Sequence, residues 1–289
     1  MKRTWTAFAL AASLLLTAAP LPAAAADAAI VEGAKVTIDG KDVAIADPIR
    51  ISDGRLFLPV APLASLLGAT VAWDGDNEAA TLHMPNGDSI QMRNGVPVVT
   101  HNGRRYAMDT APFLANGRTY LPFRVVAELT SSTVQWDEAE RRATLTSGGA
   151  AEAAEARVAV ASSLREAEPY TEEEFQLLAK LVQVEAGYES YEGQLAIANI
   201  ILNRVKDSRF PDTIRDVIYS GRQFPPAHNG LLDKSEPNES ALRATRDALD
   251  GRNNIEDAVY FYNPDVTGGA FWDRLEVVAV IGNHTYAKS

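Results

Sequence analysis

The feature that most restricts this chain is an internal repeat. "GRLFLPVAPLASLLGATVAWD", from Gly54, and "GRTYLPFRVVAELTSSTVQWD", from Gly117, align without a gap at an offset of 63 residues. Arg55/Arg118, Leu58/Leu121, Pro59/Pro122, Val71/Val134, Trp73/Trp136 and Asp74/Asp137 coincide, and an "ATL" triplet follows each unit at 80–82 and 143–145. Each unit reads as a strand stopped by Pro, then a helical segment with apolar spacing (Leu63, Leu66 and Leu67 in the first). A strand through Trp, a turn and another strand follow. Between the units lie the hairpin signals Asn86-Gly87, Asn94-Gly95 and Asn102-Gly103. Residues 27–147 therefore read as a small α+β domain made by duplication. Trp73 and Trp136 could stack on sugars, but tryptophans recurring at matched positions are read first as core.

These repeats resemble the stalk domain named from the N-terminus of copper amine oxidases, over about residues 30–147. The resemblance implies an accessory role as spacer or wall-binding unit. It does not imply copper here. The region holds only His83 and His101, with no cysteine and no ligand spacing. No cofactor and no metal are expected.

Residues 1–26 read as a signal peptide: a basic start at Lys2 and Arg3, the apolar "AFALAASLLL", and a small-residue cleavage site near Ala26. The apolar run is short and Ala-rich for a membrane span, an uncleaved anchor being the alternative. The expected location is extracytoplasmic, with no membrane association after cleavage. The chain has no Cys and four His, which excludes disulfides, thiolate chemistry and most zinc sites. Its formal charge of −11 becomes −13 without Lys2 and Arg3. Residues 171–289 carry 12 Lys and Arg against 19 Asp and Glu, a balance of −7. That balance argues against nucleic acid and against an anionic membrane surface. A neutral or partly cationic polymer is compatible. Residues 148–170 shift to Ala and Glu with no regular apolar stripe and read as a linker.

The domain expected over 171–289 opens on a helix marked by a T-x-x-E capping box, Thr171 and Glu174. At about 100° per residue, Phe175, Leu178, Leu181, Val182 and Ala186 share one arc, with Gln176, Lys180 and Gln183 opposite. Glu185 falls inside the apolar arc, in the last turn before Gly187. Burial disfavours the ionised carboxylate, and the negative end of the helix dipole acts in the same direction. A raised pKa suits a general acid acting on a glycosidic oxygen. Alternatively Glu185 swings into solvent, or pairs with a cation such as Arg204.

"GQLAIANIILNRV", 193–205, is apolar almost all round and so reads as a buried helix. It carries Asn199 and Asn203 one turn apart, placed either to line a sugar site or to tie loops together. A short helix in "FPDTIRDVIY", a capped helix over 236–251, and strands in "DAVYFYNP" and "LEVVAVIGNHTYAK" complete the domain. Aromatic and amide groups accumulate around them: Gln223, Phe224, Tyr262, Asn263, Trp272, Asn283, His284 and Tyr286. Sugar sites use such groups, and so does packing under a hairpin.

"LLAKLVQVEAGYESYEGQLAIANIILNRV", "FPDTIRDVIY", "RQF", "YFYNP" and "IGNHTYA" resemble, in order, the SleB/CwlJ-type cell-wall hydrolases of the spore cortex-lytic group, over about 172–288. The resemblance implies a lysozyme-like α+β fold, peptidoglycan glycan strands as partner, and Glu185 as catalytic acid. It further implies a lytic transglycosylase that cleaves between N-acetylmuramic acid and N-acetylglucosamine with one carboxylate. Asn203, Gln223, Phe224, Tyr262, Asn263, Asn283 and His284 are the candidate substrate contacts. Asp212, Asp216, Asp233, Asp265 and Asp273 are candidates for a second carboxylate, none of them placed by spacing. Two departures stand out: the duplicated stalk at the N-terminus, and the Pro-rich "RQFPPAHNG" after Phe224. A zinc amidase is disfavoured by the lack of an H-E-x-x-H pattern. A non-catalytic wall-binding protein is the rival of a different class.

Overall fold

The computed structural model describes residues 28–148, Ala167, 170–221 and 223–289. The signal-peptide segment and nearly all of the expected linker lie outside the described residues.

The duplicated region is sheet-rich. Its elements are β1 (Ala29–Ile30), β2 (Lys35–Ile38), β3 (Lys41–Val43), β4 (Arg50–Ser52), β5 (Arg55–Pro59), α1 (Val60–Leu66), β6 (Thr70–Asp74) and β7 (Ala79–His83). There follow β8 (Ser89–Arg93), β9 (Val98–His101), β10 (Arg104–Ala107), β11 (Phe113–Ala115), β12 (Arg118–Pro122), α2 (Phe123–Leu129), β13 (Ser132–Asp137) and β14 (Arg142–Ser147). Both repeats run strand, Pro, one short helix, two strands, as the sequence pattern requires. Pro59 and Pro122 end β5 and β12 and lead straight into the helices, because Pro cannot donate to a ladder.

The two copies meet across β5 and β12, which pair antiparallel with Leu58 directly opposite Leu121. Equivalent residues facing each other in an antiparallel pair are what a local two-fold relation produces. Both leucines are fully buried, so duplication builds one core from two half-cores. The sheets then run β1-β4-β5-β12-β11, β10-β9-β8-β7-β6 and β13-β14-β2-β3, with β14 and β2 parallel. The Asn102-Gly103 turn between β9 and β10 has φ of 50° and 82°, the backbone an Asn-Gly hairpin supplies.

One expectation is corrected here. Trp73 is 50% exposed, on β6, a strand exposed along its whole length at a sheet edge. Trp136, by contrast, is partly buried and packs against the stalk core as expected, while its indole N–H donates to Glu138 Oε2 at 2.6 Å. Both strands are sheet edges, and every residue of β6 is exposed.

The second region is helical, then sheet. It comprises α3 (Glu172–Ala186), α4 (Tyr191–Lys206), α5 (Ile214–Tyr219), α6 (Leu231–Lys234) and α7 (Glu239–Leu249), with β15 (Tyr260–Tyr262), β16 (Glu276–Ile281) and β17 (His284–Lys288). Its architecture is α+β, with an antiparallel sheet in the order β15-β17-β16. α4 is buried from Gly193 through Ile201, which its uniformly apolar sequence demands. Leu178, Leu181, Val182, Leu195, Ile200 and Ile201 form the centre of the core.

α3 starts as its sequence predicts. Glu174 N–H donates to Thr171 Oγ1 at 3.1 Å and Thr171 N–H to Glu174 Oε2 at 2.9 Å, so two orphan donors are satisfied reciprocally. Thr171→Ala should cost about 1 kcal/mol, read as a lower urea midpoint with an unchanged slope. An unchanged midpoint would show that the cap contributes nothing.

Candidate active site

Glu185 sits in the last turn of α3, half-buried, between the buried positions Leu181, Val182 and Ala186. Burial pushes its carboxyl above the ordinary value of 4.5, and no charged neighbour contributes to that shift. Among the described residues its carboxylate has no hydrogen bond and no ion pair. Arg204, the cation considered for it, is otherwise engaged. Its Nε–H donates to Val259 O at 2.8 Å, and its guanidinium lies against the rings of Phe210 and Phe224 at 5.1 and 5.5 Å from their centroids. Burial lowers the Arg204 pKa to about 10. What remains is a half-buried carboxyl, reachable by solvent, that favours its proton.

α3 stops in a tight turn. Glu189 N–H donates to Ala186 O at 2.9 Å, which brings those two Cα atoms within about 7 Å. Gly187 keeps helical dihedrals (φ −60°) rather than a left-handed cap, and it must be Gly for room. A Cβ there would lie 2.4 Å from Gln183 O.

The turn carries a second carboxylate that sequence reading missed. Glu189 is half-buried and reaches the β16–β17 hairpin, with Oε1 3.6 Å from His284 Nδ1. Gly282 (φ +58°) makes the approach possible, since a Cβ there would sit 2.5 Å from Glu189 Oε2. Behind the pair, Tyr286 is fully buried, and its hydroxyl has no hydrogen-bond partner among the described residues. Burial, and then the charge of Glu189, hold that hydroxyl in its protonated form. The five aspartates considered as second carboxylates, Asp212, Asp216, Asp233, Asp265 and Asp273, are all exposed. Nothing in local periodicity marks Glu189, because its significance comes from a hairpin more than 90 residues later. Tyr188, fully exposed between Glu185 and Glu189, was equally unmarked.

The candidate substrate residues separate. His284 and Asn283 lie at the hairpin beside Glu189, with Asn283 exposed in its turn. Phe261 pairs with Tyr286 and Tyr262 with Thr285, so Tyr262 projects from the opposite face of the sheet to Tyr286 and His284. Tyr262 packs on Trp272 at 4.7 Å between ring centroids, and Asn263 Oδ1 accepts from Asp265 N–H at 2.9 Å in the following loop. Gln223 is exposed in the loop after α5.

Two expectations for substrate contact meet physical obstacles. Phe224 is 1% exposed and stacks on Arg204, so it has no surface to present to a sugar. Asn203 spends its amide donors on Glu256 O and Ala258 O at 2.8 and 2.9 Å, and accepts from Asn253. It lies 12 residues, about 18 Å of helix, from the end of α4 next to Glu189. It ties loops, the other role open to it.

Residues 188–287 match the family model described as Cell Wall Hydrolase, and residues 37–145 match that described as Copper amine oxidase N-terminal domain. The second region thus carries a cell wall hydrolase domain. The hydrolase match begins three residues after Glu185, at Tyr188. A spore cortex-lytic enzyme of Oceanobacillus iheyensis is 40% identical over 120 residues, 41% of this chain and 43% of that protein. The chain thus spans less than half the length of that curated relative. Among solved structures, the catalytic domain of Bacillus cereus SleB is 35% identical and covers 42% of this chain and 94% of its own, with a TM-score of 0.40. The catalytic domain of a germination-specific lytic transglycosylase, SleB from Bacillus anthracis, is 34% identical and covers 42% and 98%, with a TM-score of 0.39. Both units of the chain, stalk-like and hydrolase, are therefore of the kinds that the sequence blocks resemble.

Proposed function

We propose that this chain is an extracytoplasmic peptidoglycan-cleaving enzyme in which Glu185 is the general acid. The observation that carries the reading is a carboxyl whose proton is favoured by burial, with no cation beside it among the described residues, three residues before the segment that matches the cell wall hydrolase family. The wall glycan is the substrate, cut between N-acetylmuramic acid and N-acetylglucosamine. Glu185 delivers its proton to the glycosidic oxygen as the C1–O bond breaks. The carboxylate so formed takes the proton of the muramic acid C6 hydroxyl, whose oxygen closes onto C1. Proton count and charge balance, the sugar ends as the 1,6-anhydro form, and Glu185 is protonated again. The acidic balance of residues 171–289 disfavours nucleic acid as a competing polymer.

His284, Asn283 and the exposed Tyr188 are the substrate contacts that this reading favours, because they border the Glu185–Glu189 turn. Tyr262, Asn263 and Gln223 would serve more distant sugars. The stalk is read as an accessory domain. Its exposed Trp73 offers an indole face to a sugar, which supports wall contact over a purely passive spacer.

The test is a digest of purified vegetative and cortex peptidoglycan, resolved by mass spectrometry. The expected product carries anhydro-muramic ends. Reducing muramic ends would keep the glycosidase but transfer the second step to water, with Glu189, four residues on and half-buried, as the candidate carboxylate to activate it. No cleavage of either wall would favour a non-catalytic wall-binding protein.

A further inference from the structure

The stalk and hydrolase regions meet along a seam of charges, and its acidic members on α7 are buried. Asp247, in the last turn of α7, and Asp250, just beyond it, have side chains 1% and 2% exposed. Two carboxylates at that depth require counter-charge and donors. Both cations on Asp250, Arg93 from the end of β8 and Arg105 from β10, come from the stalk. The second nitrogen of the Arg93 fork reaches Asp247, so one planar guanidinium bridges both acids. In the other direction, Arg243 on α7 donates to Asp76 O at 2.5 Å and pairs with Glu78 at 3.3 Å. The backbones close tightly. A Cβ at Gly251 (φ +96°) would lie 3.0 Å from Pro97, and one at Gly95 (φ +69°) 3.1 Å from Arg252 Nε.

The seam continues to the candidate active site. Tyr191 opens α4, two residues after Glu189, and its hydroxyl donates to Asp247 Oδ2 at 2.7 Å. Its ring lies against the guanidinium of Arg243 at 4.2 Å. The turn before it hangs on side-chain amides: Gln194 Nε2 donates to Glu189 O at 3.4 Å and Asn238 Nδ2 to Gly187 O at 3.3 Å. Asp247, which also faces Arg243 and Arg252 at 3.8 Å, Tyr191 and this turn thus connect the stalk cation to the end of α3.

We propose that the stalk is a positioning module for the hydrolase site: Arg93, acting through Asp247 and Tyr191, holds the 187–191 turn beside Glu185. Arg93 touches no substrate and is a positioning residue. The rate consequence rests on Glu185 being the acid, whereas the mechanical coupling does not.

Arg93→Glu sets a third carboxylate against Asp247 and Asp250, while Arg93→Lys keeps the charge but loses the fork. Both are made in the full chain, and hydrogen exchange is followed at amides 187–194 together with kcat and KM on glycan strands. Arg93→Glu should speed exchange in that turn about tenfold or more, with the centres of α3 and α4 unchanged. It should lower kcat about tenfold with KM shifted less than threefold, and Arg93→Lys should recover part of both. Unchanged exchange in the turn, despite separation of the lobes seen by X-ray scattering, would overturn the proposal. So would acceleration spread evenly over the hydrolase core, which is the signature of lost stability alone. If Arg93→Glu does not fold, Tyr191→Phe, which removes only the hydroxyl that donates to Asp247, is read by the same criteria. Absence of glycan cleavage by the wild type would end the Glu185 reading and leave the exchange result to decide the coupling.

Discussion

Glu185→Gln should lower the rate of glycan cleavage by about 10²–10⁴-fold, the range a positioned general acid contributes, with KM little changed. Glutamine keeps the shape of the side chain and its fit between Leu181, Val182 and Ala186, but it has no proton to give. The substitution also tests the pH behaviour of the native group. Burial raises the folded-state pKa above the ordinary 4.5. Between those two values the folded chain binds more protons than the unfolded chain, so stability falls as pH rises through the window. The contribution is complete below the ordinary value and lost above the raised one. In Glu185→Gln that slope should vanish, and at neutral pH the variant should be at least as stable as the wild type. The wild-type rate should fall on the alkaline side of the same raised value, where the acid has lost its proton. A variant with unimpaired cleavage would remove Glu185 from the mechanism. A stability profile identical to wild type would show that the carboxyl is solvated after all.

Phe224→Ala should destabilise the hydrolase domain by about 3–5 kcal/mol. The ring is 1% exposed in the main core and lies 5.5 Å from the Arg204 guanidinium, which also sits 5.1 Å from the Phe210 ring. Arg204 is buried and its guanidinium meets aromatic faces rather than an acid. Truncation therefore removes packing and also part of what makes that buried cation tolerable. Phe224→Leu restores most of the volume without the π face and should recover more than half of the loss. Chemical denaturation of the three proteins reads both effects. If Phe224→Ala were as stable as wild type and instead raised KM, the ring would be a sugar contact and the burial described here would not persist in solution.

Much of the architecture was legible because it is written in short-range patterns. The 63-residue offset predicted two copies of one unit, and the structure joins them at the residues that match, Leu58 against Leu121. The capping box at Thr171 and the apolar sequence of α4 predicted a helix start and a buried helix, since both depend on contacts within a turn or two. The anomaly of one carboxylate on an apolar arc singled out Glu185 for the same reason. Tryptophan recurrence misled at Trp73. Matched position implies matched backbone, but the cover over that backbone comes from elsewhere in the fold, and every residue of β6 is exposed. Phe224, Asn203 and Tyr262 were grouped with His284 by residue type alone. Which way a side chain points depends on the register of β15 on β17 and on what lies behind it.

The sequence by itself determined the duplicated α+β unit, the helices of the second region, and the place of Glu185 on an apolar helix face, where burial raises its pKa. These follow from periodicity, caps and turns, whose physics acts over a few residues. Only the tertiary structure decided that Glu189 meets His284 of the β16–β17 hairpin, that Arg204 is held by aromatic rings rather than by Glu185, and that Arg93 reaches Asp247 and Asp250. The last two contacts join positions 154 and 157 residues apart. At such separations charge pairing leaves no periodic trace in the chain, because many acids and bases could neutralise one another and only the packed cores select which of them meet.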